Sequence, residues 1–402
     1  MTGPSMFHLP GIKTTASSPI ERGSFFVSAS QFGMTFSFNF MMAFMPFYII
    51  RISPFDHQKT MIWIGLILGA THILTAVTAP FWGGLTSRFR PKVLYETGFL
   101  CNGVLILLMG FTNSLVILFL LRMLQGALGG VSTIGMILIS ASSSREGLRN
   151  DLSFFQNCLT AGQLVGPPLG TYAASSCGYR AAFVLTFFLV ILCLLFCHLY
   201  VADVPTQNKQ SSPDCRNKRA LLSGWLLSLV ATVHLTFLPS ILPDILKTFG
   251  WVEEAALNLA GIVIMSYTAT AILGTYLLSR LSSKTALRKI ITVACLAAAL
   301  GQVLLFFSEG VVSFMVIRMI QTGFIAGVFP LIIAFFAQDV GGGMIGFLNS
   351  ARFFGVAFGP LVATSLLAYA GLLPLYGFIA ACTLISLGMF LTLSRFRQGS
   401  GT

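Results

Sequence analysis

Residues 120–130, LLRMLQGALGG, place one arginine inside a stretch that is otherwise uncharged from residue 114 to residue 144. The pattern returns as VIRMIQTGFIAG at residues 316–327, with Arg-Met-Ile-Gln in place of Arg-Met-Leu-Gln. A charged side chain at the centre of a membrane helix costs about 2.5–3.5 kcal/mol on insertion scales. Because Arg122 and Arg318 recur in matching apolar contexts, we interpret them as equivalent positions of two related halves.

The composition is that of a membrane protein. Of 402 residues, 55% are hydrophobic and 9% are charged, whereas soluble domains carry about 25% charged residues. A spanning helix needs about 20 largely apolar residues. The sequence offers twelve such stretches, with predicted limits 25–50, 61–85, 92–112, 114–141, 152–175, 180–202, 220–246, 257–281, 287–308, 311–337, 343–370 and 373–394.

The net charge of +12 is interpreted as a signal of orientation. With the N-terminus in the cytoplasm, 17 of the 24 Lys and Arg residues fall on the cytoplasmic side. This bias follows the positive-inside rule and places both termini in the cytoplasm. We therefore expect a lipid bilayer, and no nucleic acid, as the partner of the basic residues. Binding of phospholipid headgroups by these residues is secondary to their role in orientation.

The chain divides into two halves at a polar loop. We predict tails at residues 1–24 and 395–402, a central cytoplasmic loop at 203–219, and six-helix bundles at 25–202 and 220–394. GQLVGP at residues 162–167 matches GVAFGP at residues 355–360. Both halves start on the same side, so they are parallel repeats, and such repeats place a substrate site between them near the midplane. The expected fold is an all-α membrane protein of twelve transmembrane helices in two pseudo-symmetric six-helix bundles.

The first and seventh spans carry matching polar stripes. Polar side chains recur at every fourth residue, which places them on one face of each helix. In a membrane helix such a face is expected against a partner helix or a water-filled cavity. We take the six residues as substrate-binding candidates: Gln31, Thr35 and Asn39 in the first span, and Ser228, Thr232 and Thr236 in the seventh.

These features make the whole chain, from about residue 25 to residue 395, resemble the major facilitator superfamily. Three motifs carry the resemblance. GGLTSRFRPK at residues 83–92 keeps Gly84, Leu85, Arg88 and Lys92 of the motif between spans two and three, with Ser87 in place of the family's aspartate. The resemblance implies a latch between the cytoplasmic helix ends. Without the aspartate, we expect that latch to be lost or to use a neighbour such as Glu96.

The other two motifs lie in spans four and five. Arg122 and Gly126 match the Arg-x-x-x-Gly pattern of span four, and the resemblance associates this arginine with proton coupling. The antiporter motif of span five is matched by Gly162, Gly166, Pro167 and Gly170, and its counterpart in span eleven contains Gly359 and Pro360. The motif resembles that of exporters and drug–proton antiporters, and among subfamilies the chain is most similar to twelve-span bacterial multidrug exporters.

Small residues at every fourth position allow close helix packing, and proline permits a bend. We therefore expect spans five and eleven to be bent, closely packed helices at the interface between the halves. For these glycines, generic helix packing without a role in transport direction is the alternative.

Three arginines and two histidines are the titratable or charged groups predicted at mid-depth. Arg122, Arg318 and Arg352 either line a cavity and bind anionic groups or are neutralised by helix carbonyls and buried polar partners. No acid is central, so we expect an electropositive cavity that favours anionic or neutral amphipathic substrates. His72 and His234 can carry a proton near physiological pH or serve as hydrogen-bonded packing residues.

We find no His-Glu-x-x-His, Gly-x-Ser-x-Gly or phosphate-cradling motif, and the eight cysteines have no metal-ligand spacing. We expect no enzyme activity, no cofactor and no bound metal. The leading hypothesis is a monomeric secondary transporter of a bacterial inner membrane. It moves a small organic substrate by alternating access, with export by proton antiport. The alternatives are uptake or exchange of an organic anion, or a lipid flippase; a channel or scramblase stays open.

Overall fold

The described residues of the first half of the chain form seven α-helices. The structure is a computed structural model that describes residues 22–86, 88–142, 148–203, 218–282, 286–336 and 342–394, so most of the predicted tails and central loop lie outside it. The helices of the first half are α1 (Arg22–Ile52), α2 (His57–Leu85), α3 (Pro91–Phe111), α4 (Leu115–Ala127), α5 (Val131–Ser142), α6 (Leu148–Cys177) and α7 (Tyr179–Tyr200).

The second half repeats this order with one more break. Its helices are α8 (Lys218–Thr236), α9 (Leu238–Thr248), α10 (Glu253–Ser282), α11 (Leu287–Leu304), α12 (Val311–Ile325), α13 (Val328–Phe336), α14 (Gly342–Ala370) and α15 (Leu372–Leu393). A single 3₁₀ turn, Leu305–Phe307, extends α11. The pairs α4–α5, α8–α9 and α12–α13 each form one span with a break.

Glycines mark the breaks of spans four and ten. Gly130 precedes α5, and a Cβ there would lie 2.2 Å from the Trp82 ring of α2. Gly327 precedes α13, and a Cβ there would lie 2.6 Å from Leu278 of α10. In both halves the absence of a side chain therefore lets a neighbouring helix approach where the span is interrupted.

Eleven stretches of the described residues are long and apolar enough to cross a membrane. The remaining long helix, α6, has 30 residues and therefore a length of about 45 Å at 1.5 Å per residue. It contains many polar and small residues, and it packs between α1 and α10 instead of facing lipid on all sides. The predicted all-α membrane fold of twelve spans in two six-helix bundles is confirmed.

The two halves meet through α2 against α14 and through α6 against α10. We call the end of the bundle with the start of α1 and the end of α15 the terminal face, and the opposite end the distal face. On the distal face Gly178 and Gly371 precede α7 and α15 with φ of 82° and 90°. Glycine adopts this left-handed conformation without steric cost, so the same turn recurs in both halves.

Candidate functional site

Arg122 lies inside the first half and is inaccessible to solvent. Its Nη1 donates to Gln125 Oε1 at 2.5 Å, and its Nε donates to the Ile67 carbonyl at 3.4 Å. Its Nη2 lies 3.1 Å from Met42 Sδ, and its guanidinium is 5.5 Å from the centre of the Phe38 ring. The charge is therefore surrounded by dipoles and a polarisable ring.

Arg318 has the equivalent place in the second half and is also inaccessible to solvent. Its Nη1 donates to Gln321 Oε1 at 2.6 Å, and its Nη2 donates to the His234 carbonyl at 2.6 Å. The guanidinium lies 4.9 Å from the centres of both the Phe237 and Tyr267 rings. Desolvated cation–π contacts of this kind contribute about 2 kcal/mol each.

The arginine–glutamine bond is thus the same in both halves. It joins residues i and i+3, which lie on one helix face, and it explains why the sequence repeats Arg-Met-x-Gln. Among the described residues no carboxylate pairs with Arg122 or Arg318. Both charges are therefore buried without a counter-charge.

The glutamine of the second half continues the polar network. Gln321 Nε2 lies 3.0 Å from His234 Nδ1 and also donates to Gln302 Oε1. An amide nitrogen can only donate, so His234 Nδ1 is the acceptor and Nε2 carries the hydrogen. His234 Nε2 then donates to Thr383 Oγ1 at 2.7 Å, and that hydroxyl donates to the Ile379 carbonyl at 2.8 Å. Both ring nitrogens of His234 are engaged, and the ring is neutral.

His72 has more freedom than His234. Its Nδ1 lies 3.2 Å from the Leu68 carbonyl, and Nε2 has no hydrogen-bond partner within the described part of the chain. The ring is half-buried and packs edge-on against Phe38 at 6.1 Å. Because Phe38 also contacts Arg122, His72, Phe38 and Arg122 form one continuous group.

Arg352 differs from the other two arginines because its side chain is exposed. Its guanidinium lies 5.1 Å from the centre of the Phe329 ring of α13. One turn away, Gly355 packs against Thr232 of α8. Arg352 is therefore an exposed residue whose guanidinium lies beside span ten.

The polar stripes of spans one and seven lie against the glycine motifs of spans five and eleven. A Cβ on Gly162 would lie 3.1 Å from Thr35 Cβ, and one on Gly166 would lie 3.0 Å from Asn39 Cβ. Asn39 is half-buried, and its Nδ2 donates to the Thr35 carbonyl at 2.8 Å. The glycines of α6 thus face α1 of their own half.

The second half repeats this arrangement. A Cβ on Gly355 would lie 2.5 Å from Thr232 Cβ, and one on Gly359 would lie 2.4 Å from Thr236 Oγ1. Thr236 Oγ1 donates to the Thr232 carbonyl at 3.0 Å. Ser228 is buried, and its hydroxyl has no partner in the described ranges. In each half, the polar stripe and the glycine motif found in the sequence are therefore the two facing surfaces of one helix contact.

Gln31 lies deeper in the first half than the rest of its stripe. It is buried, and its Oε1 accepts from the Tyr95 hydroxyl at 3.0 Å. Its Nε2 donates to Ser132 Oγ at 3.0 Å. Gln31 therefore links α1 to α3 and α5.

The contact between the halves depends on glycines that the sequence analysis did not single out. A Cβ on Gly65 of α2 would lie 2.1 Å from Thr364 Oγ1 of α14. A Cβ on Gly261 of α10 would lie 2.1 Å from Thr171 Oγ1 of α6 and 2.8 Å from Pro168 Cα. We call these two contacts the glycine seams.

The glycine seams continue toward the distal face. Gln58 Nε2 donates to the Ala368 carbonyl at 3.0 Å, and Ser175 Oγ donates to Asn258 Oδ1 at 2.7 Å. His57 Nε2 lies 3.7 Å from Asp244 Oδ2. These contacts join the halves between the middle of the bundle and the distal face.

Comparison with known proteins agrees with this architecture. The family model of the Major Facilitator Superfamily matches residues 27–251 and residues 221–400, which together include nearly the whole chain. The chain belongs to the Major Facilitator Superfamily. It is therefore a multi-pass membrane transporter of this superfamily, and members of the superfamily move small-molecule substrates.

The superfamily relatives include drug-resistance proteins. Multidrug resistance protein MdtG of Klebsiella pneumoniae (strain 342) is 24% identical over 347 residues, which are 83% of this chain and 84% of that protein. Among solved structures, the human organic anion transporter MFSD10 (TETRAN) has a TM-score of 0.68 at 14% identity, over 93% of this chain and 100% of that one. The nucleoside transporter NupG has a TM-score of 0.71 at 12% identity, over 93% and 99%.

The superfamily motif between spans two and three lies at the terminal face. Lys92 Nζ donates to the His198 carbonyl of α7 at 2.9 Å and lies 3.8 Å from Glu96 Oε1. Glu96 Oε1 also lies 3.3 Å from His198 Nδ1. Arg88 is exposed, and Gly84 belongs to α2. Ser87 lies outside the described residues. Lys92 and Glu96 therefore join α3 to α7 within the first half.

The sequence contained one signal for the glycine seams that a repeat search can detect. Gly65 and Gly261 stand 196 positions apart, which is the offset of Arg122 and Arg318. The threonines that face them are equivalent as well, because Thr171 and Thr364 are 193 positions apart, like Pro167 and Pro360. A single glycine in an apolar helix is too common to draw notice without its counterpart.

Proposed function

We propose that this transporter exports a small amphipathic or anionic organic compound in exchange for protons. The observation that carries the proposal is the set of three arginines, Arg122, Arg318 and Arg352, without a carboxylate partner among the described residues. We place Arg352 at the substrate, because it is the one of the three that is exposed. Arg122 and Arg318 set a positive potential from inside each half, since buried charges act through a lower dielectric than water.

The positive potential favours substrates with an anionic or hydrogen-bond-accepting group. Arg352 lies beside the Phe329 ring, so a substrate with an apolar body meets an aromatic surface next to the cation. A purely cationic compound is repelled by the same charges. Substrate-binding roles for the two polar stripes rest on Asn39 and Thr236, which are half-buried.

We assign the exchanged proton to His72. Protonation of His72 at Nε2 breaks no hydrogen bond of the described residues, whereas protonation of His234 replaces an accepted hydrogen bond from Gln321 with a clash of two donors. The Phe38 ring between His72 and Arg122 connects the proton site to the motif arginine. His234 is a weaker candidate, because both of its ring nitrogens are hydrogen-bonded in a buried network. Glu96 is weaker as well, because it lies at the terminal face.

Export is the direction we propose, with both termini in the cytoplasm of a bacterial cell and the protein in its inner membrane. Support comes from the span-five motif and from relatives named for multidrug resistance. The distribution of Lys and Arg supports the orientation. We propose that the monomer is the working unit, since each half supplies one face of the substrate path.

Uptake or exchange of an organic anion is the second candidate function. The exposed Arg352 favours it, and the fold resembles that of a protein named as an organic anion transporter. A lipid flippase is the third. These functions differ in their coupling: antiport moves protons against the substrate, whereas exchange requires a second anion and no proton.

The test is transport by the purified protein in sealed proteoliposomes with an imposed pH gradient. Matched anionic, neutral and cationic amphiphiles are offered, and a pH-sensitive dye follows proton movement inside. Antiport predicts that adding substrate moves protons and that collapse of the gradient with an uncoupler abolishes accumulation. If accumulation of the substrate does not depend on the pH gradient but requires an anion inside the vesicles, the protein is an anion exchanger and not a proton antiporter. Movement of a fluorescent phospholipid in place of the soluble amphiphiles identifies a flippase.

A further inference from the structure

A cavity of about 340 Å³ opens at the distal face of the first half. It lies between the end of α1, the turn before α4 and the turn between α6 and α7. Its lining includes Arg51 of α1 and Arg180 of α7, together with the aromatic rings of Tyr48 and Tyr179. The cavity is separate from the arginine–glutamine clusters, which are enclosed inside each half.

The two arginines are unusual for this face. Of the 24 Lys and Arg residues in the chain, four lie near the helix ends on the side opposite the termini: Arg51, Lys59, Arg180 and Lys247. Two of these four line the same cavity. Because basic residues are scarce on this side, their convergence at one cavity requires an explanation beyond orientation in the membrane.

Within the described part of the chain, neither arginine has an acid at salt-bridge distance. Among the described residues, the acid–base pairs of the distal face join Asp56 to Lys59 at 3.9 Å and Asp244 to His57 at 3.7 Å. Arg51 instead lies 5.5 Å from the centre of the Tyr179 ring. Its charge is therefore held over the cavity wall by an aromatic face and has no anionic partner there.

The start of α7 adds further positive potential. Gly178 precedes this helix with φ of 82°, and no side chain caps the first turn. The first amide groups of a helix are without intrahelical acceptors and carry the positive end of the helix dipole. Gly178 and Tyr179 both line the cavity, so this end is directed at the same space as the two arginines.

The walls also have an apolar part. Ile52 and the rings of Tyr48 and Tyr179 line the cavity beside the cations. Tyr48 cannot contribute its hydroxyl hydrogen freely, because the hydroxyl donates to the Thr112 carbonyl at 2.5 Å. The site thus offers two guanidinium groups, free amides and aromatic carbon, which suits an anionic head with an attached apolar group.

We propose that this distal cavity binds the phosphate or carboxylate group of an anionic amphiphile, held between Arg51 and Arg180. An anionic lipid headgroup and a free anion share this chemistry. Two guanidinium groups bind a phosphate through charge-assisted hydrogen bonds. The cavity lies at the level of the helix ends, where lipid headgroups also lie.

Cys177 provides a local reporter, because it lines the cavity and is exposed, whereas the other described cysteines are half-buried or buried. The experiment measures the rate of Cys177 alkylation by N-ethylmaleimide in the detergent-purified full chain, quantified on the Cys177 peptide. The probes are dihexanoyl phosphatidylglycerol, dihexanoyl phosphatidylcholine and inorganic phosphate. The test variant is the double substitution Arg51→Gln with Arg180→Gln. The control is Lys59→Gln, which also removes a cation from the distal face.

We expect phosphatidylglycerol to slow Cys177 alkylation several-fold and phosphatidylcholine to leave it unchanged. Half-protection should need about tenfold more probe for each arginine removed, because a hydrogen bond to a charged group contributes at least about 1.4 kcal/mol. Lys59→Gln should behave as the unmodified chain. Protection by inorganic phosphate as well identifies a free-anion site, and its absence identifies a lipid site.

Three results overturn the proposal: no protection by any anion, equal protection by phosphatidylcholine, or unchanged protection in the double variant. If the double variant does not fold, the single variants Arg51→Gln and Arg180→Gln give the same comparison with one charge retained. Native mass spectrometry of the same samples counts bound phosphatidylglycerol and gives a second measure that does not use the thiol.

Discussion

Gly65 on α2 and Gly261 on α10 are equivalent positions, and each faces a threonine of the opposite half at the same distance. A Cβ would lie 2.1 Å from Thr364 Oγ1 in one case and 2.1 Å from Thr171 Oγ1 in the other. The two halves therefore touch through two symmetry-related glycine seams. At both seams the absence of a glycine side chain lets helices of the two halves approach closely.

Gly261→Ala is expected to destabilise the protein and to slow transport. The new methyl group meets the Pro168 backbone at 2.8 Å, and overpacking of this kind costs about 1–3 kcal/mol. Thermal unfolding of the purified protein and initial transport rates measure the effect. Gly377→Ala is the control, because no heavy atom lies within 4 Å of its Cβ. Equal unfolding temperatures for the two variants would contradict the close contact between Gly261 and α6.

Gly170→Ala and Gly359→Ala should differ in severity although both glycines belong to matching motifs. A Cβ on Gly170 meets the Phe40 carbonyl oxygen at 2.0 Å, whereas one on Gly359 meets Thr236 Oγ1 at 2.4 Å. Backbone cannot move aside without separating α1 from α6, but a hydroxyl can rotate. We expect Gly170→Ala to lower the unfolding temperature more. The reverse order contradicts the described packing of α6.

Arg318→Met should destabilise the second half. The substitution leaves Gln321 Oε1 and the His234 carbonyl without their donors, and each buried unsatisfied group costs about 1–3 kcal/mol. Denaturant unfolding in detergent checks this value. Arg318→Lys keeps the charge but cannot bond both acceptors in the same fork, so we expect partial recovery. Unfolding of Arg318→Met that matches the parent protein is incompatible with a structural role for Arg318.

Arg352→Gln should reduce transport of anionic substrates without a comparable loss of stability. Its exposed side chain makes one aromatic contact, with Phe329, so the stability change should stay within about 1 kcal/mol. Transport should show a raised KM for an anionic amphiphile and a smaller change for its neutral analogue. Arg352→Lys should recover part of the affinity. The same KM change for both substrates would argue against recognition of charge.

His72→Gln should uncouple substrate movement from protons, whereas His234→Gln should mainly affect folding. His72 Nε2 has no partner among the described residues, but both ring nitrogens of His234 are hydrogen-bonded. Substrate-driven proton movement in proteoliposomes separates the two, with protein stability measured in parallel. Retained proton movement in a well-folded His72→Gln variant would assign coupling to another group.

Much of the architecture could be predicted because membrane insertion imposes strong rules on sequence. Long apolar stretches predict the spans, and fixed offsets between matching residues predict the repeat. Break points were not predicted: spans four, seven and ten appear continuous in the sequence, but α4 ends at Ala127, α8 at Thr236 and α12 at Ile325. Glycine lowers helix propensity, yet whether a helix breaks depends on which neighbour packs there.

The candidate residues show the same division. Arg122 and Arg318 were recognised from their repeated motif, and their shared bond to a glutamine three residues later follows from helix geometry. Their enclosure inside separate halves did not follow, because burial of an arginine depends on carbonyls and rings from other helices. Phe38, Phe237 and Tyr267 are individually ordinary aromatic residues of an apolar chain.

The sequence by itself determined the class of protein, the twelve spans and their pseudo-symmetry, because hydrophobic length and repeat offsets are properties of the linear chain. Only the tertiary structure decided which polar residues face a partner helix and which are accessible. The glycines of α6 and α14 pack against the polar stripes of α1 and α8. Gly65 and Gly261 instead pack against helices of the opposite half. The reason is physical: a helix displays several faces at once, and the sequence does not specify which face meets which neighbour until all helices pack together.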